Sequence, residues 1–436
     1  MDTNVPLNTK LYMQDITGYA KVSRKIKNVS LCPLCRGTKL LCGKPKCPVL
    51  LEYEVYINEV LPKLKMEVDG NSPPSVFVGR IGYPKVWIGP LVPPVHGDTS
   101  IYGIPEKWVN LSIDEILRLS SMLIYGRKRL SINAPRLEEK YYLDVLDIAI
   151  SRVSPEVEMY FDNKPTKQII LTDEITPFGP TANLRKMIIG TLKIDYRIEK
   201  CVSDYDLKAE DAVYYLYKIG IPISAIQRVF SIGGLGIKRE RKLVPTRWSI
   251  TAIDDIIGKK LIKKIKQNPT ITEILTFKHS ILGNKFIILM IPGNWSYEFL
   301  EAWFPGTFWN KYTTQPIIYN DHETYKGRTE YPEIGGCYHS ARLAVAEFLF
   351  RVGRQALVVV FREVYSDYLF PVGVWVVREA VREALRRRPE RFTSLSDALQ
   401  YVFSNLRIPA SRWFNASALL SFLVKQVKLT RYLSKY

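Results

Sequence analysis

The chain has no long hydrophobic run. Its longest apolar stretches, residues 286–291, 356–361 and the proline-interrupted 368–377, fall well short of the roughly 20 residues that cross a bilayer. The opening MDTNVPLNTK holds no apolar signal core, so a cytoplasmic protein with reduced thiols is expected. Histidine is scarce, four in 436 residues, and cysteine little commoner, with six. There is no HExxH, Walker lysine spacing, dinucleotide fingerprint or nucleophile elbow. That removes the enzyme classes that declare themselves by motif. No internal repeat or low-complexity tract is present. Acidic residues are also short: 43 Asp+Glu against 62 Lys+Arg leave a formal charge of +19. Such a surplus favours a polyanionic partner, nucleic acid before an anionic membrane surface. Otherwise 47% hydrophobic and 24% charged residues are ordinary for a globular chain, and the length suggests two or three domains.

Four of the cysteines stand close together as C-x2-C-x6-C-x4-C: Cys32, Cys35, Cys42 and Cys47. Intervening Pro and Gly let the chain wrap around one ion, and four thiolates make a closed structural zinc site with no open position for chemistry. An iron–sulfur cluster, disulfides and unligated thiols are the alternatives. Lys21, Arg24, Lys25 and Lys27 precede this knuckle, and Arg36, Lys39, Lys44 and Lys46 lie within it. Such a module can rest on a phosphate backbone, or simply carry a solvated basic face. Cys201 and Cys337 stand alone and read as core thiols.

The fold class expected is α+β, or α/β with a mixed sheet, with the zinc module small and N-terminal. Residues 1–50 read as a basic lead-in and that module, 51–268 as an α/β region, 269–415 as a second α/β region, and 416–436 as a tail. Residues 71–99 are dense in Gly and Pro, with short strands expected at 75–78 and 85–88. Ser112-Ile113-Asp114-Glu115 is a capping box that opens a helix expected to run to about Arg129, followed by another at 138–152. Strands are expected at 169–172 and 194–199. Residues 209–220 and 224–232 form a helix–turn–helix-like pair whose second helix carries Gln227 and Arg228. A lysine-rich helix is expected at 252–267, then strands at 271–276, 285–291 and 356–361 and helices at 336–353, 374–388 and 394–405. From Arg351 onward 15 Lys+Arg stand against 6 Asp+Glu, with Arg378, Arg382, Arg386, Arg387 and Arg388 prominent.

Two groups of residues bear on chemistry. Gly233-Gly234-Leu235-Gly236 is followed by Lys238, Arg239, Arg241, Lys242 and Arg247. Glycines let backbone N–H groups approach an anion, and Arg offers bidentate contacts. Trp248 can stack a base. The bland reading is a turn followed by surface charge. The second group is a scatter of His and carboxylates beside turns: His96-Gly97-Asp98, Asp321-His322-Glu323, and Tyr338-His339-x-x-Arg342. These can move protons or hold a second, catalytic divalent metal, or serve as structural hydrogen-bonding clusters.

The chain closes on KQVKLTRYLSKY. Gln426-x-x-Leu429-x-x-Tyr432-Leu433 fits the clamp-binding pattern in which one short helical turn aims two or three apolar anchors at one pocket while the Gln hydrogen-bonds beside it. Leu433 replaces the second aromatic of the usual pattern. The knuckle, the segments SPPSVFVGRIGYPKVWIGPLVPP and SIGGLGIKRERKLVPTRWSIT, and this terminal peptide together resemble the archaeal Nre family of DNA repair proteins over nearly the whole chain. That resemblance implies DNA repair, a PIP motif at Gln426, Leu429, Tyr432 and Leu433 that binds the sliding clamp (PCNA), and a C4 zinc finger. It implies no established reaction. The expected function is therefore a DNA-binding, nucleoid-associated repair factor recruited to the clamp. The alternatives are a clamp-recruited metal-dependent nuclease, phosphodiesterase or nucleotide hydrolase, and an RNA-binding factor.

Overall fold

The computed structural model describes residues 35, 38–41, 44–167, 178–311 and 313–423. The chain divides into two compact units, Cys47–Ile257 and Gly258–Tyr436, the second also taking in Met1–Lys46. The division falls inside one helix, Thr246–Ile265, whereas the sequence boundary is expected at 268.

The first unit carries a six-stranded sheet in the order β1-β5-β6-β4-β3-β2. The strands are β1 Glu67–Asn71, β2 Val76–Val78, β3 Lys85–Val92, β4 Ile124–Ser131, β5 Glu156–Phe161 and β6 Thr181–Ile189. All neighbours run antiparallel except β4 and β6. Its helices are α1 Pro48–Val55, α2 Ile113–Met122, α3 Ala134–Leu137, α4 Lys140–Ala149, α5 Tyr196–Ser203, α6 Ala209–Lys218, α7 Ile223–Ser231 and the start of α8 Thr246–Ile265. The capping box forms as read: Ser112 Oγ accepts from Glu115 N, and the Glu115 carboxylate accepts from Ser112 N. This helix stops at Met122, and the residues expected to continue it to Arg129 form β4. The cause is non-local. A Cβ at Gly89 of β3 would collide with Gly126 O of β4, and one at Gly126 would collide with Met159 Sδ of β5. Gly89 lets the β3 and β4 backbones meet, Gly126 makes room for the Met159 side chain, and the ladder overrides local helix propensity.

Residues 194–199, expected as a strand, instead start α5. Asp195 caps it, accepting from Arg197 N and pairing with the Arg197 guanidinium, as N-cap aspartates do. The strand expected at 169–172 lies outside the described residues. The helix–turn–helix-like pair exists as α6 and α7, but α7 is an internal helix. Gln227 is 8% exposed and donates to Ile250 O, and Arg228 Nε donates to Ala149 O. Neither side chain is presented as a groove reader would present it.

The second unit carries another six-stranded mixed sheet, in the order β10-β9-β11-β8-β7-β12. The strands are β7 Ile274–Ile281, β8 Asn284–Ile291, β9 Ser296–Trp303, β10 Ile317–Glu323, β11 Leu357–Val364 and β12 Glu390–Phe392. Only β9 and β11 pair in parallel. Its helices are α9 Gly336–Val352, α10 Trp375–Arg386, α11 Leu395–Ser404 and α12 Ala410–Ala416. One sheet face packs Ile287, Leu289, Val359 and Phe361 against Val402 of α11 and Trp413 of α12. On the other, Phe277 meets Phe348 of α9 edge to face at 5.3 Å. Cover on both faces explains the unbroken run FIILMI in β8, since a strand buried twice cannot alternate. An α+β class with mixed sheets is what the structure shows. No helix among the described residues is long and apolar enough to cross a membrane.

Candidate nucleic-acid interface

The sheet of the first unit has one covered and one open side. Val86 and Ile88 point to the covered side and are fully buried, where Tyr141 of α4 donates to Ile88 O. Residues between them alternate outward, as strand geometry requires. Trp87 pairs with Arg129, and Arg127 with Asn183. Directly paired residues share a face, so Trp87, Arg127, Arg129 and Asn183 lie together on the open side. The β-bulge between β5 and β6 brings Lys186 opposite Tyr160 on that side too. Arg129, Asn183 and Lys186 are exposed, and Trp87, Arg127 and Tyr160 are half-buried.

Ring and cation interleave here. The Arg127 guanidinium lies 4.5 Å from the Trp87 ring centroid, and Lys186 Nζ stands 5.8 Å over Tyr160. Trp87 also edges a small cluster of Leu91, Tyr125 and Phe178, so its ring is fixed in place. Charge on the face is divided. β3, β4 and β6 supply the cations, whereas Glu67 and Asp69 of β1 stand opposite Tyr160 and Glu158 of β5. A polyanion is therefore directed onto the β3–β4–β6 half. The motif reading missed Trp87, Arg127, Arg129, Tyr160 and Lys186; the signal was period-two spacing in KVW and GRKR.

The glycine run fails as a phosphate cradle. Gly233 has φ +71° and follows α7 directly. Gly233 N donates to Phe230 O and Gly234 N to Val229 O, so these N–H groups close a helix C-terminus. That is the carbonyl end of the helix dipole, the wrong end for an anion. Arg241 is 6% exposed and turns inward, its Nε donating to Gly236 O at 2.7 Å and its Nη2 to Asp204 O at 3.2 Å. Burial lowers its pKa. It locks the loop and is withdrawn from any phosphate. Lys238 pairs with Glu138 at 2.7 Å and covers the Tyr205 ring. Arg239 and Arg247 are exposed, and Lys242 is half-buried. Trp248 is half-buried against Tyr83, ring centroids 5.9 Å apart.

The His and carboxylate candidates separate. His96 Nε2 faces Asp69 at 3.6 Å, both well exposed. Asp98 accepts from Ser100 N, and that backbone bond leads the interactions that lower its pKa. In the second unit His339 joins a buried cluster built on Glu323 and Arg342, and Asp321 is buried two residues before Glu323 on β10. Arg342 Nη1 meets Glu323 Oε2 at 2.7 Å, Trp295 Nε1 and Tyr338 Oη also donate to Glu323, and His339 Nδ1 lies 3.4 Å from Arg342 Nη2. Asp321 is 2.6 Å from Arg328 and accepts from Ile334 N; burial raises its carboxyl pKa. His322, one residue along β10, points outward and is exposed. Three donors, from Arg342, Trp295 and Tyr338, serve Glu323, as a buried carboxylate requires. Among the described residues no group of three or more His, Cys, Asp or Glu is placed to hold a metal ion.

Cys35 is buried and Cys47 half-buried, whereas Cys32 and Cys42 lie outside the described residues, as do Gln426, Leu429, Tyr432 and Leu433. Lys44, read as part of a basic module surface, is buried and donates to Leu369 O. Cys201 is buried and Cys337 half-buried; burial pushes the Cys337 thiol up to about 12 and raises Cys201 too.

Comparison with known proteins covers almost the whole chain. Residues 41–310 match the model of the N-terminal region of archaeal Nre, and residues 323–432 that of its C-terminal region. The DNA repair protein NreB of Archaeoglobus fulgidus is 39% identical over 392 residues, spanning 89% of this chain and 96% of the relative. NreA of the same organism is 36% identical, spanning 88% and 95%. NreA of Haloferax volcanii is 34% identical, spanning 78% and 83%. No solved structure matches.

Proposed function

Because the chain belongs to the archaeal Nre family, we propose that it acts in DNA repair, holding DNA on the open β3–β4–β6 face and reaching the replication clamp through its terminal peptide. The observation that carries the binding role is Trp87 fixed beneath Arg127 beside Arg129. An aromatic platform among cations binds a strand by stacking and charge without reading sequence. A repair factor needs that tolerance, since lesions occur anywhere.

The tail carries the second part on its sequence alone. Gln426, Leu429, Tyr432 and Leu433 would anchor the chain to the clamp, and tethering raises the local concentration of a modest DNA binder. Cys32, Cys35, Cys42 and Cys47 would hold one structural zinc ion and brace the N-terminal segment.

The test is fluorescence anisotropy with single-stranded DNA, duplex DNA and RNA of one sequence. Trp87→Ala should weaken single-strand binding by about 1–3 kcal/mol, the measured range for losing one stacked base. Unchanged affinity would remove the sheet face from the reading, and tighter RNA than DNA binding would make this an RNA factor. Calorimetry against the clamp, with the full chain and with one truncated after Lys425, tests the tether; binding that survives truncation would refute it.

A further inference from the structure

A cavity of about 640 Å³ opens in the first unit, within the range of small-molecule sites. It lies among the end of β1, the turn before α5 and the start of α7. Its charged lining is Asp98, Lys107, Arg152, Asp195, Arg197 and Arg228, four cations against two carboxylates.

These charges are only partly offset, Asp195 acting on Arg152 and Glu106 on Arg228 without a direct ion pair. Arg197 is committed to Asp195, with 2.9 and 2.6 Å contacts. Lys107 Nζ donates to Ser100 Oγ at 3.0 Å. Arg152 and Arg228 have no ion-pair partner among the described residues. The Arg228 guanidinium is anchored by Nε to Ala149 O at 2.8 Å, and its two terminal nitrogens make no hydrogen bond among the described residues. Burial pushes its pKa down to about 10, with Glu106 acting against that fall. Glu106 offsets part of this charge without a direct ion pair, and a bound anion on the unbonded terminal nitrogens would relieve the rest. The helix terminus is not the argument: Ser224 N of α7 is already served by Glu106 at 2.8 Å. The opposite feature is Asp98, an acceptor whose pKa is lowered by its bonds to Ser100. A ligand that satisfies both has an anionic end and hydrogen-bond donors at the other.

We propose that this cavity binds a nucleotide, its phosphate on Arg152 and Arg228 and its sugar hydroxyl or base amine on Asp98. The same chemistry comes from two sources, a free nucleotide or the phosphorylated end of a DNA strand. The site shares no residue with the sheet face and stands or falls apart from it.

The experiment titrates the full chain with a deoxynucleoside 5′-monophosphate, a 5′-phosphorylated oligonucleotide, the same oligonucleotide without its phosphate, and inorganic phosphate. Either phosphorylated nucleotide ligand should bind more tightly than its unphosphorylated or inorganic counterpart, and the tighter of the two identifies the source. Arg228→Gln should cost roughly tenfold or more, the worth of one hydrogen bond to a charged group. Arg152→Gln, at an exposed position, gives the same readout if Arg228→Gln fails to fold. Asp98→Asn should narrow the preference for nucleotide over inorganic phosphate, and Trp87→Ala should leave the phosphate preference intact. Equal binding with and without the 5′-phosphate, together with no mononucleotide binding, would overturn the proposal, as would wild-type affinity in both arginine variants.

Discussion

The two units bury charge to different extents. In the first, Arg129, Arg185 and Lys186 stand on the outside of a sheet. In the second, guanidiniums and carboxylates are taken into the core. Arg362, 2% exposed, meets Glu301 and Asn284; Glu301 also accepts from Trp303 Nε1. Glu298, fully buried, accepts from Ala418 N, Leu419 N and Asn320 Nδ2. Glu363 takes Arg407 N and Ile408 N. Even the arginine-rich α10 pairs inward: Arg378 is 1% exposed beside Glu379, and Arg382 binds Glu347 and Glu379. Of the cations toward the C-terminus, Arg362 and Arg378 therefore belong to a charged core, whereas Arg386, Arg387 and Arg388 at the end of α10 are exposed. Net charge says that a polyanion is welcome; only exposure and pairing say where.

The sharpest way to break this comparison is to cut one buried pair. Arg342→Met leaves Glu323 buried beside Trp295 and Tyr338 without its cation. The expected loss is about 3–5 kcal/mol, the cost of stranding a buried charge. The double variant Glu323→Leu with Arg342→Met should recover part of it, because no buried charge is stranded although Trp295 Nε1 and Tyr338 Oη lose their acceptor. Arg129→Ala on the open sheet should change stability by within about 0.5 kcal/mol. Calorimetric melting of the three variants decides: equal shifts for Arg342→Met and Arg129→Ala would mean that burial does not separate the units.

A smaller effect sharpens the comparison from the binding side. Arg129→Gln and Arg382→Gln each delete one guanidinium. If Arg129 touches a phosphate and Arg382 serves only its carboxylates, Arg129→Gln alone should reduce the slope of log affinity against log salt by about 1. Anisotropy across a salt series measures both. Equal slope changes would place DNA on the second unit as well.

How much of this was legible depended on range. The Ser112–Glu115 capping box, α6, α7, α9 and β8 were readable because their signals are local: a cap, a helical period, an unbroken apolar run. β4 was not, because Gly89 and Gly126 matter only once the strands are side by side. β9 was missed because Glu298 and Glu301, buried in its middle, break the apolar pattern that a core strand normally shows. The glycine run was misread since a helix C-cap followed by basic residues has the same composition as an anion loop, and only the direction of the preceding helix tells them apart. Glu323 and His339 come together through Arg342, and Asp321 shares the buried face of β10 with Glu323, while the alternation of β10 sends His322 the other way.

The smallest effect tests an arginine–carboxylate pair of the same chemistry at a wetter position. Asp195 pairs with Arg197 at the cavity rim, where the Arg197 side chain is 37% exposed. Asn is as good an N-cap as Asp, so Asp195→Asn removes the charge and keeps the cap. The loss expected at neutral pH is below about 1 kcal/mol, the usual worth of a solvated pair. The hydrogen bond from the Arg197 side chain, against the counter-effect of burial, holds the Asp195 carboxyl below its ordinary range. A depressed folded-state pKa contributes stability above the unfolded-state value of about 3.9 and loses it as pH falls through the folded value. The melting-temperature gap between wild type and Asp195→Asn should therefore be constant from neutral pH to about pH 5 and close in stronger acid. A gap that persists undiminished at pH 2 would show that Asp195 acts through shape and not through its charge. The contrast with Glu323 would then rest on packing alone.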